Sequence, residues 1–194
     1  MRIFATIAIF AATPVLAVCP DVTDLANGIR VTETDGAVNI FFTIEDGLAQ
    51  NDGTASGGYT YRNILAHGTH LIELGDTENG AYITGTRRVV DYAMSTYQMP
   101  IPSPSSKWDV DTIVDNGGEY AERQTQSWGS MATIQIGDCT YDMIPGKLSY
   151  TNRNATVFEG LHYLPALEIS LLHSYQTQGE PASIYTAAKI EAVQ

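Results

Sequence analysis

The two cysteines, Cys19 and Cys139, are the residues whose chemistry is easiest to predict. If the chain is exported, as its first residues indicate, two thiols are typical of one disulfide, because compartments outside the cytoplasm are oxidising. Neither cysteine lies in the local signature of a thiol nucleophile. We therefore predict a disulfide that ties the start of the mature chain to its second half, with two unpaired buried thiols as the alternative.

The four histidines form no motif that is typical of a metal or catalytic site. His67 and His70 have two residues between them, but they fall at a predicted turn and lack the partners of a zinc site. His162 and His173 fall on the two arms of a predicted hairpin with Pro165 at its tip. We expect the register of that hairpin to keep these two rings apart, and we predict no metal site.

The carboxylates are numerous, but none shows a spacing that is specific for catalysis. The chain has 22 Asp and Glu residues, yet it lacks a Gly-x-Ser-x-Gly elbow, a phosphate-binding glycine loop and a dinucleotide fingerprint. The acid pair of a glycosidase cannot be recognised from sequence, because the fold sets the distance between its two groups. We therefore predict no catalytic residue and no cofactor.

The aromatic residues, 11 Tyr and 2 Trp among them, lie mostly in predicted strands. Tyrosine suits a surface that is apolar but needs a polar tip. We favour ordinary sheet packing as the explanation. The functional alternative is a concave aromatic face that binds an apolar ligand or a saccharide. The candidate ligand-binding residues on such a face are Tyr59, Tyr61, Trp108, Trp128 and Tyr163.

The elements that would position these side chains are short strands separated by Gly, Asn and Asp turns. The clearest signal is Asp35-Gly36, which lies between the alternating residues 29–34 and 37–44 and predicts a hairpin. Residues 20–26 predict a short helix, whereas residues 45–58 predict a loop. The pattern indicates a mainly antiparallel all-β fold, with a single sheet system that forms a half-barrel or an open barrel.

The second half of the chain predicts further strand pairs. Residues 139–144 and 147–151 read as separate strands, because Pro145-Gly146 lies between them. The proline-rich residues 99–106 predict an extended connection between two halves of one sheet system. Residues 184–193 fit either a helix or an edge strand.

Residues 1–17 have the pattern of a secretory signal peptide, since a charged residue and a short apolar run precede Ala17. The run is shorter than the roughly 20 apolar residues of a membrane span. We predict cleavage near Ala17 and a single antiparallel β domain over residues 18–194, located in the periplasm or secreted. The alternative is a lipoprotein acylated at Cys19, which the bulky Val18 disfavours.

The charge of the chain excludes some partners. Its formal net charge is −12, and its only lysines are Lys107, Lys147 and Lys189. Such a chain has no electrostatic means of holding a phosphate backbone or an anionic membrane surface. We therefore predict no nucleic-acid partner and no stable membrane insertion.

Two passages carry a resemblance to known proteins. Residues 136–145, Ile-Gly-Asp-Cys-Thr-Tyr-Asp-Met-Ile-Pro, and residues 160–172, Gly-Leu-His-Tyr-Leu-Pro-Ala-Leu-Glu-Ile-Ser-Leu-Leu, resemble uncharacterised exported proteins of alphaproteobacteria. The second passage is also distantly similar to the last hairpin of periplasmic half-barrels of the lipoprotein-carrier type, although Glu168 stands where these have glycine. The resemblance implies an antiparallel β fold in the cell envelope and carries over no catalytic residue.

Three functions fit these observations. The sequence favours a non-enzymatic exported protein that binds an apolar ligand or an envelope partner on its aromatic face. The second hypothesis is a hydrolase of envelope polysaccharide or peptide whose carboxylates the sequence does not identify. The third is a purely structural or interaction role that uses open sheet edges.

Overall fold

The structure, a computed structural model, describes residues 19–45 and 47–193. Over these residues, no helix is long and apolar enough to cross a membrane. The predicted signal peptide and its cleavage site lie outside the described residues. The elements, with η for a short 3-10 helix, are η1 (Val22–Ala26), β1 (Ile29–Glu33), β2 (Val38–Glu45), β3 (Leu48–Thr54), β4 (Thr60–Ala66), β5 (His70–Glu78), β6 (Ala81–Tyr82), β7 (Arg88–Asp91), η2 (Thr96–Gln98), β8 (Lys107–Asp115), β9 (Glu119–Trp128), β10 (Ala132–Ile136), β11 (Cys139–Thr151), β12 (Thr156–Leu164), β13 (Ile169–Thr177), β14 (Ser183–Ile184) and β15 (Ala187–Ala192).

All described strands belong to one antiparallel sheet system, which confirms the predicted all-β fold. The strand order is β14-β13-β12-β11-β9-β8-β7-β5-β4-β3-β2-β1-β15, while β10 pairs with β11 and β6 with β5. Most neighbours in this order are also neighbours in the chain, because short turns join them as hairpins. The predicted helix over residues 20–26 forms as η1, and the ambiguous residues 184–193 form the end of β14 and all of β15.

The two ends of this strand order meet, because β14 and β15 are consecutive in the chain. β14 pairs with β13, and the Tyr185 N–H continues that pairing with a 2.8 Å hydrogen bond to the His173 carbonyl. β15 pairs with β1, and the Thr34 N–H donates to the Thr186 carbonyl over 2.9 Å. The segment 183–192 thus bridges β13 and β1, and the sheet curves around an interior as an open barrel.

A contact across the interior joins the β4–β5 turn to the β12–β13 turn. The Ser170 N–H donates to the Gly68 carbonyl over 2.9 Å, and the hydroxyls of Thr69 and Ser170 lie 2.6 Å apart. Gly68 has φ +62°, and a Cβ there would fall 2.0 Å from the Glu168 carbonyl oxygen. The close approach of two backbones therefore requires glycine at this position.

The predicted disulfide between Cys19 and Cys139 is confirmed, with a Cα–Cα distance of 5.6 Å. Cys139 packs with Leu25 of η1 in the largest buried apolar cluster, which also includes Leu164 and Ile169. The Tyr141 hydroxyl donates to the Pro20 carbonyl over 3.0 Å. The bridge therefore holds η1 against one end of the barrel.

The prediction of a loop over residues 45–58 is wrong, because Leu48–Thr54 forms β3. Polar residues occupy this strand since part of the interior that it faces is itself polar. Asn51 is buried and hydrogen-bonded there, and the ring of Tyr61 covers Gly53 so closely that a Cβ would fall 2.0 Å from it. A neighbouring aromatic side chain thus supplies the packing that the glycine lacks.

The prediction of two strands around Pro145-Gly146 is also wrong, because β11 runs unbroken from Cys139 to Thr151. Residues 139–143 pair with β10, whereas residues 146–151 pair with β9. Pro145, which has no N–H to donate, lies where the strand changes partner, so the change of partner accommodates it.

Candidate functional site

The curved sheet encloses a cavity of about 730 Å³. Its deeper wall is apolar, because inward-facing residues of β1, β2, β4, β5 and β13 line it. Four of these wall residues, Val31, Phe41, Leu65 and Leu171, belong to or pack against the buried cluster that contains the disulfide. The cavity therefore rests on the end of the barrel that η1 covers.

Other lining residues are exposed to solvent and mark an opening of this cavity, which we call the mouth. Asp35 lies in the β1–β2 turn, and Ser56, Gly57 and Tyr59 lie in the β3–β4 turn. Tyr59 keeps 61% of its surface exposed although it lines the cavity. A ligand of suitable size could enter between these two turns.

Four polar residues just inside the mouth form one hydrogen-bond network, called here the mouth network: Glu33, Asn39, Asn51 and Tyr61. The Asn39 amide donates to the Glu33 carboxylate over 3.1 Å. The Asn39 side-chain oxygen accepts from the Tyr61 hydroxyl at 2.8 Å and from the Asn51 amide at 3.1 Å. The network is therefore directional, with its donors leading towards Glu33.

Two groups of the mouth network, Glu33 and Tyr61, have raised pKa values. Burial, followed by the nearby Asp35 carboxylate, raises the pKa of Glu33 against the lowering effect of the Asn39 hydrogen bond. Burial also raises the pKa of Tyr61 to about 12, and the neighbouring Glu33, Tyr59 and Tyr185 act in the same direction. These neighbours place the two further tyrosines close to the network.

A second carboxylate, Glu159, lines the cavity farther from the mouth network. It accepts a 2.9 Å hydrogen bond from the Tyr150 hydroxyl, and burial raises the pKa values of both groups. Another interior glutamate, Glu122, is 3% exposed and accepts two 3.0 Å hydrogen bonds from Arg88. Glu159 lines the cavity and Glu122 does not, so Glu159 is the carboxylate of this pair that a ligand would meet.

The expectation that the hairpin register separates His162 from His173 is wrong, because their rings stack with centroids 4.5 Å apart. In the structure Leu164 opposes Ile169, and a bulge follows at Gly160/Leu161. The bulge makes His173 an extra residue beside His162. Burial, followed by His173, lowers the pKa of His162, and both rings line the cavity.

The structure divides the five predicted ligand-binding residues between the cavity and the core. Tyr59 and Tyr61 line the cavity, with ring centroids 6.1 Å apart. Trp108 packs against the buried His70, with centroids 4.8 Å apart. Trp128 and Tyr163 are buried together, with centroids 6.2 Å apart, and Trp128 also borders a second cavity of about 620 Å³. Of the five predicted ligand-binding residues, Tyr59 and Tyr61 therefore lie together in the cavity.

Sequence reasoning missed the polar part of the site. Glu33 and Asn39 each stand two positions from a buried apolar residue in a strand, which places them on the inward face. That alternation was a usable signal. The approach of Tyr185 was not predictable, because the bridging segment 183–192 brings it there, next to Tyr175 of β13.

Within residues 19–45 and 47–193, no group of three or more His, Cys, Asp or Glu residues is placed to hold a metal ion. The residues that line the cavity supply hydrogen-bonding groups, aromatic rings and carboxylates.

Comparisons with known proteins found no matching family model and no matching curated protein. Among solved structures, the chain is similar to the hypothetical lipoprotein YmcC from Escherichia coli K12, at 10% sequence identity. The alignment covers 84% of this chain and 78% of that chain, with a TM-score of 0.43.

Proposed function

We propose that this protein binds a small apolar or amphipathic molecule inside its barrel and performs no chemistry on it. The observation that carries the proposal is a cavity of about 730 Å³ with an apolar deep wall and a polar mouth. Ligand pockets typically have volumes of roughly 300–1,000 Å³, with mainly apolar linings and a few placed polar groups. The cavity matches that description in size and in the arrangement of its lining.

The proposed location is the periplasm or the extracellular medium. The disulfide supports it, because such bonds persist in oxidising compartments. The signal-peptide pattern of residues 1–17 and the resemblance to exported half-barrels point the same way. A soluble binding protein of the cell envelope would carry or sense an amphipathic molecule there.

A specific observation keeps the hydrolase as a second candidate: Glu33, with its raised pKa, lies near the Asp35 carboxylate at the mouth. Two neighbouring carboxyl groups, one of them an acid with a raised pKa, are what glycoside hydrolysis uses. However, Asp35 accepts a 3.0 Å hydrogen bond from the Ala37 N–H, and Glu33 accepts one from Asn39. Turn and network roles thus account for both groups, and binding is the better-supported function.

The purely structural hypothesis drew on open sheet edges. In the structure, the two ends of the strand order are consecutive in the chain, and they pair with β13 and β1. The protein's own segment 183–192 therefore covers β1 and part of β13 at the two ends of the strand order. This arrangement favours an internal binding site over edge-to-edge association.

Native mass spectrometry of protein purified from its own envelope tests the binding proposal. We expect an adduct with the mass of a small amphiphile that disappears on denaturation. Absence of an adduct, together with failure to bind added apolar probes, would refute the proposal. Release of products from envelope polysaccharide by the wild type, and not by Glu33→Gln, would favour the hydrolase instead.

A further inference from the structure

The polar groups at the mouth are mostly hydrogen-bond acceptors. Glu33 and Asp35 contribute carboxylates, and Asp76 and Glu159 contribute two more to the cavity lining. Among the described lining residues there is neither Lys nor Arg. The mouth therefore offers negative charge and acceptors to a ligand, and it offers no cation to a phosphate or a carboxylate.

One acceptor of the mouth network lacks a partner. Asn51 is 7% exposed and lines the cavity, and its side-chain oxygen has no hydrogen-bond partner among the residues that the structure describes. The Asn51 amide and the Tyr61 hydroxyl both donate to Asn39, which in turn donates to Glu33. Because an unsatisfied buried acceptor costs free energy, a ligand that donates hydrogen bonds would be favoured here.

Aromatic rings stand around these acceptors. Tyr59, Tyr61, Tyr175 and Tyr185 all line the cavity, and the rings of Tyr59 and Tyr61 are tilted by 44° with centroids 6.1 Å apart. Glu33 and Tyr59 contribute to raised pKa values at both Tyr61 and Tyr185, after burial as the main cause. The faces of aromatic rings attract cations, and alkylated ammonium groups are bound in this way.

We propose that the mouth binds the ammonium group of an amphipathic cation, whose apolar chain occupies the deep wall of the cavity. The inference rests on the proposed function, because it requires that the cavity takes a ligand. Glu33 supplies the opposite charge, the tyrosines supply aromatic faces, and the orphan acceptor of Asn51 favours a protonated amine over an anionic group. A phospholipid head group fits less well, since its phosphate would meet carboxylates.

Titration calorimetry with four probes that share one alkyl chain tests the proposal, below their micelle concentrations. The probes are decyldimethylammonium (the protonated tertiary amine, which keeps one N–H donor), decylphosphocholine, decyl maltoside and decanoate. We expect decyldimethylammonium to bind about tenfold more tightly than the other three. Glu33→Gln keeps an acceptor for Asn39 but removes the charge, so this variant should lose most of that preference.

Two matched variants control for nonspecific effects. Glu119→Gln removes one negative charge from the exposed first residue of β9, which does not line the cavity, and it should bind like the wild type. Tyr59→Ala should weaken the binding of the ammonium probe, whereas Tyr97→Ala, which removes a 68% exposed ring outside the cavity lining, should not.

The outcomes separate this inference from the proposed function. Equal affinities for all four probes, unchanged in Glu33→Gln, would overturn the ammonium site but leave a ligand-binding cavity. Tighter binding of decylphosphocholine than of decyldimethylammonium would also overturn it, by showing that the mouth accepts phosphate. Failure of every probe to bind would overturn the proposed function itself, and the inference with it.

Discussion

Removal of the Cys19–Cys139 bridge should be the most destabilising change at the end of the barrel covered by η1. The bridge joins residues separated by 120 positions. For a loop of that length, the chain-entropy model gives roughly 4–5 kcal/mol, which is an upper value because denatured chains retain structure. Since a domain is typically stable by about 5–15 kcal/mol, the bridge is a large share of the total.

The structure adds a local consequence to this entropic one. Without the bridge, η1 depends on the burial of Leu25, which is 3% exposed, and on the hydrogen bond from Tyr141 to Pro20. Burial of one leucine contributes about 2–3 kcal/mol, which competes with the cost of ordering the terminus. We therefore expect η1 to detach in part while the strands persist, and the end of the cavity beneath it to loosen.

Urea unfolding of a Cys19→Ala/Cys139→Ala variant measures the effect directly. We expect a loss of about 3–5 kcal/mol in the free energy of unfolding, matched by the wild type under reducing conditions. Leu25→Ala in the oxidised protein serves as the control for lost packing alone, and it should cost less than the bridge. An unfolding midpoint equal to that of the oxidised wild type would refute the role given to the bridge.

Three further predictions concern the interior. His70 is 1% exposed, and burial lowers its pKa to about 4 in the folded protein. Below pH 6.5 the unfolded protein therefore binds more protons than the folded protein. Stability should fall by about 3 kcal/mol between pH 6.5 and pH 4, as followed by urea unfolding. Arg88→Met leaves the Glu122 carboxylate buried without its cation and should cost about 3–5 kcal/mol, whereas adding Glu122→Leu should restore part of the loss in the same assay. Gly68→Ala forces a Cβ against the Glu168 carbonyl at positive φ and should lower the melting temperature by an amount equivalent to about 3 kcal/mol.

Each of these predictions has its own contrary result. If His70→Gln unfolds with the same pH dependence as the wild type, another group causes the acid sensitivity. A single Arg88→Met variant that is as stable as the double variant would mean that Glu122 is protonated or rehydrated without cost. Gly57→Ala, where a Cβ would meet nothing within 4 Å, is the control for Gly68→Ala, and equal melting of the two variants would contradict the close approach.

Local signals predicted the hairpins, because turn residues specify a hairpin within a few positions, as Asp35-Gly36 does. The disulfide was predictable without the fold, because two cysteines in an oxidising compartment leave one pairing. β3 was missed because its polar residues look like a loop. These residues form a strand because part of the interior that they face is polar. That polar interior exists only in the assembled barrel, so the sequence of β3 alone does not reveal it.

The candidate site was predictable only in part for the same reason. The shared side of Tyr59 and Tyr61 follows from their two-residue spacing, although Tyr59 lies just before β4 begins. Glu33 and Asn39 reach Tyr61 because β3, which the sequence did not predict, lies between β2 and β4. Tyr185 arrives with the segment 183–192, and the stacked histidines depend on a bulge. Bulges and sheet closure are set by tertiary packing, so a single sequence does not specify them locally.

The most direct test of the central claim, that the cavity binds a ligand, is a fluorescence titration with the apolar probe N-phenyl-naphthylamine. Leu74 lines the cavity, so Leu74→Trp places a larger ring inside it; Ile113→Trp adds the same ring at a 44% exposed position outside the lining. The wild type and Ile113→Trp should bind the probe with equal affinity, and Leu74→Trp should bind it about tenfold more weakly or not at all. Equal binding by all three proteins would show that the probe binds elsewhere and would contradict the assignment of the cavity as the binding site.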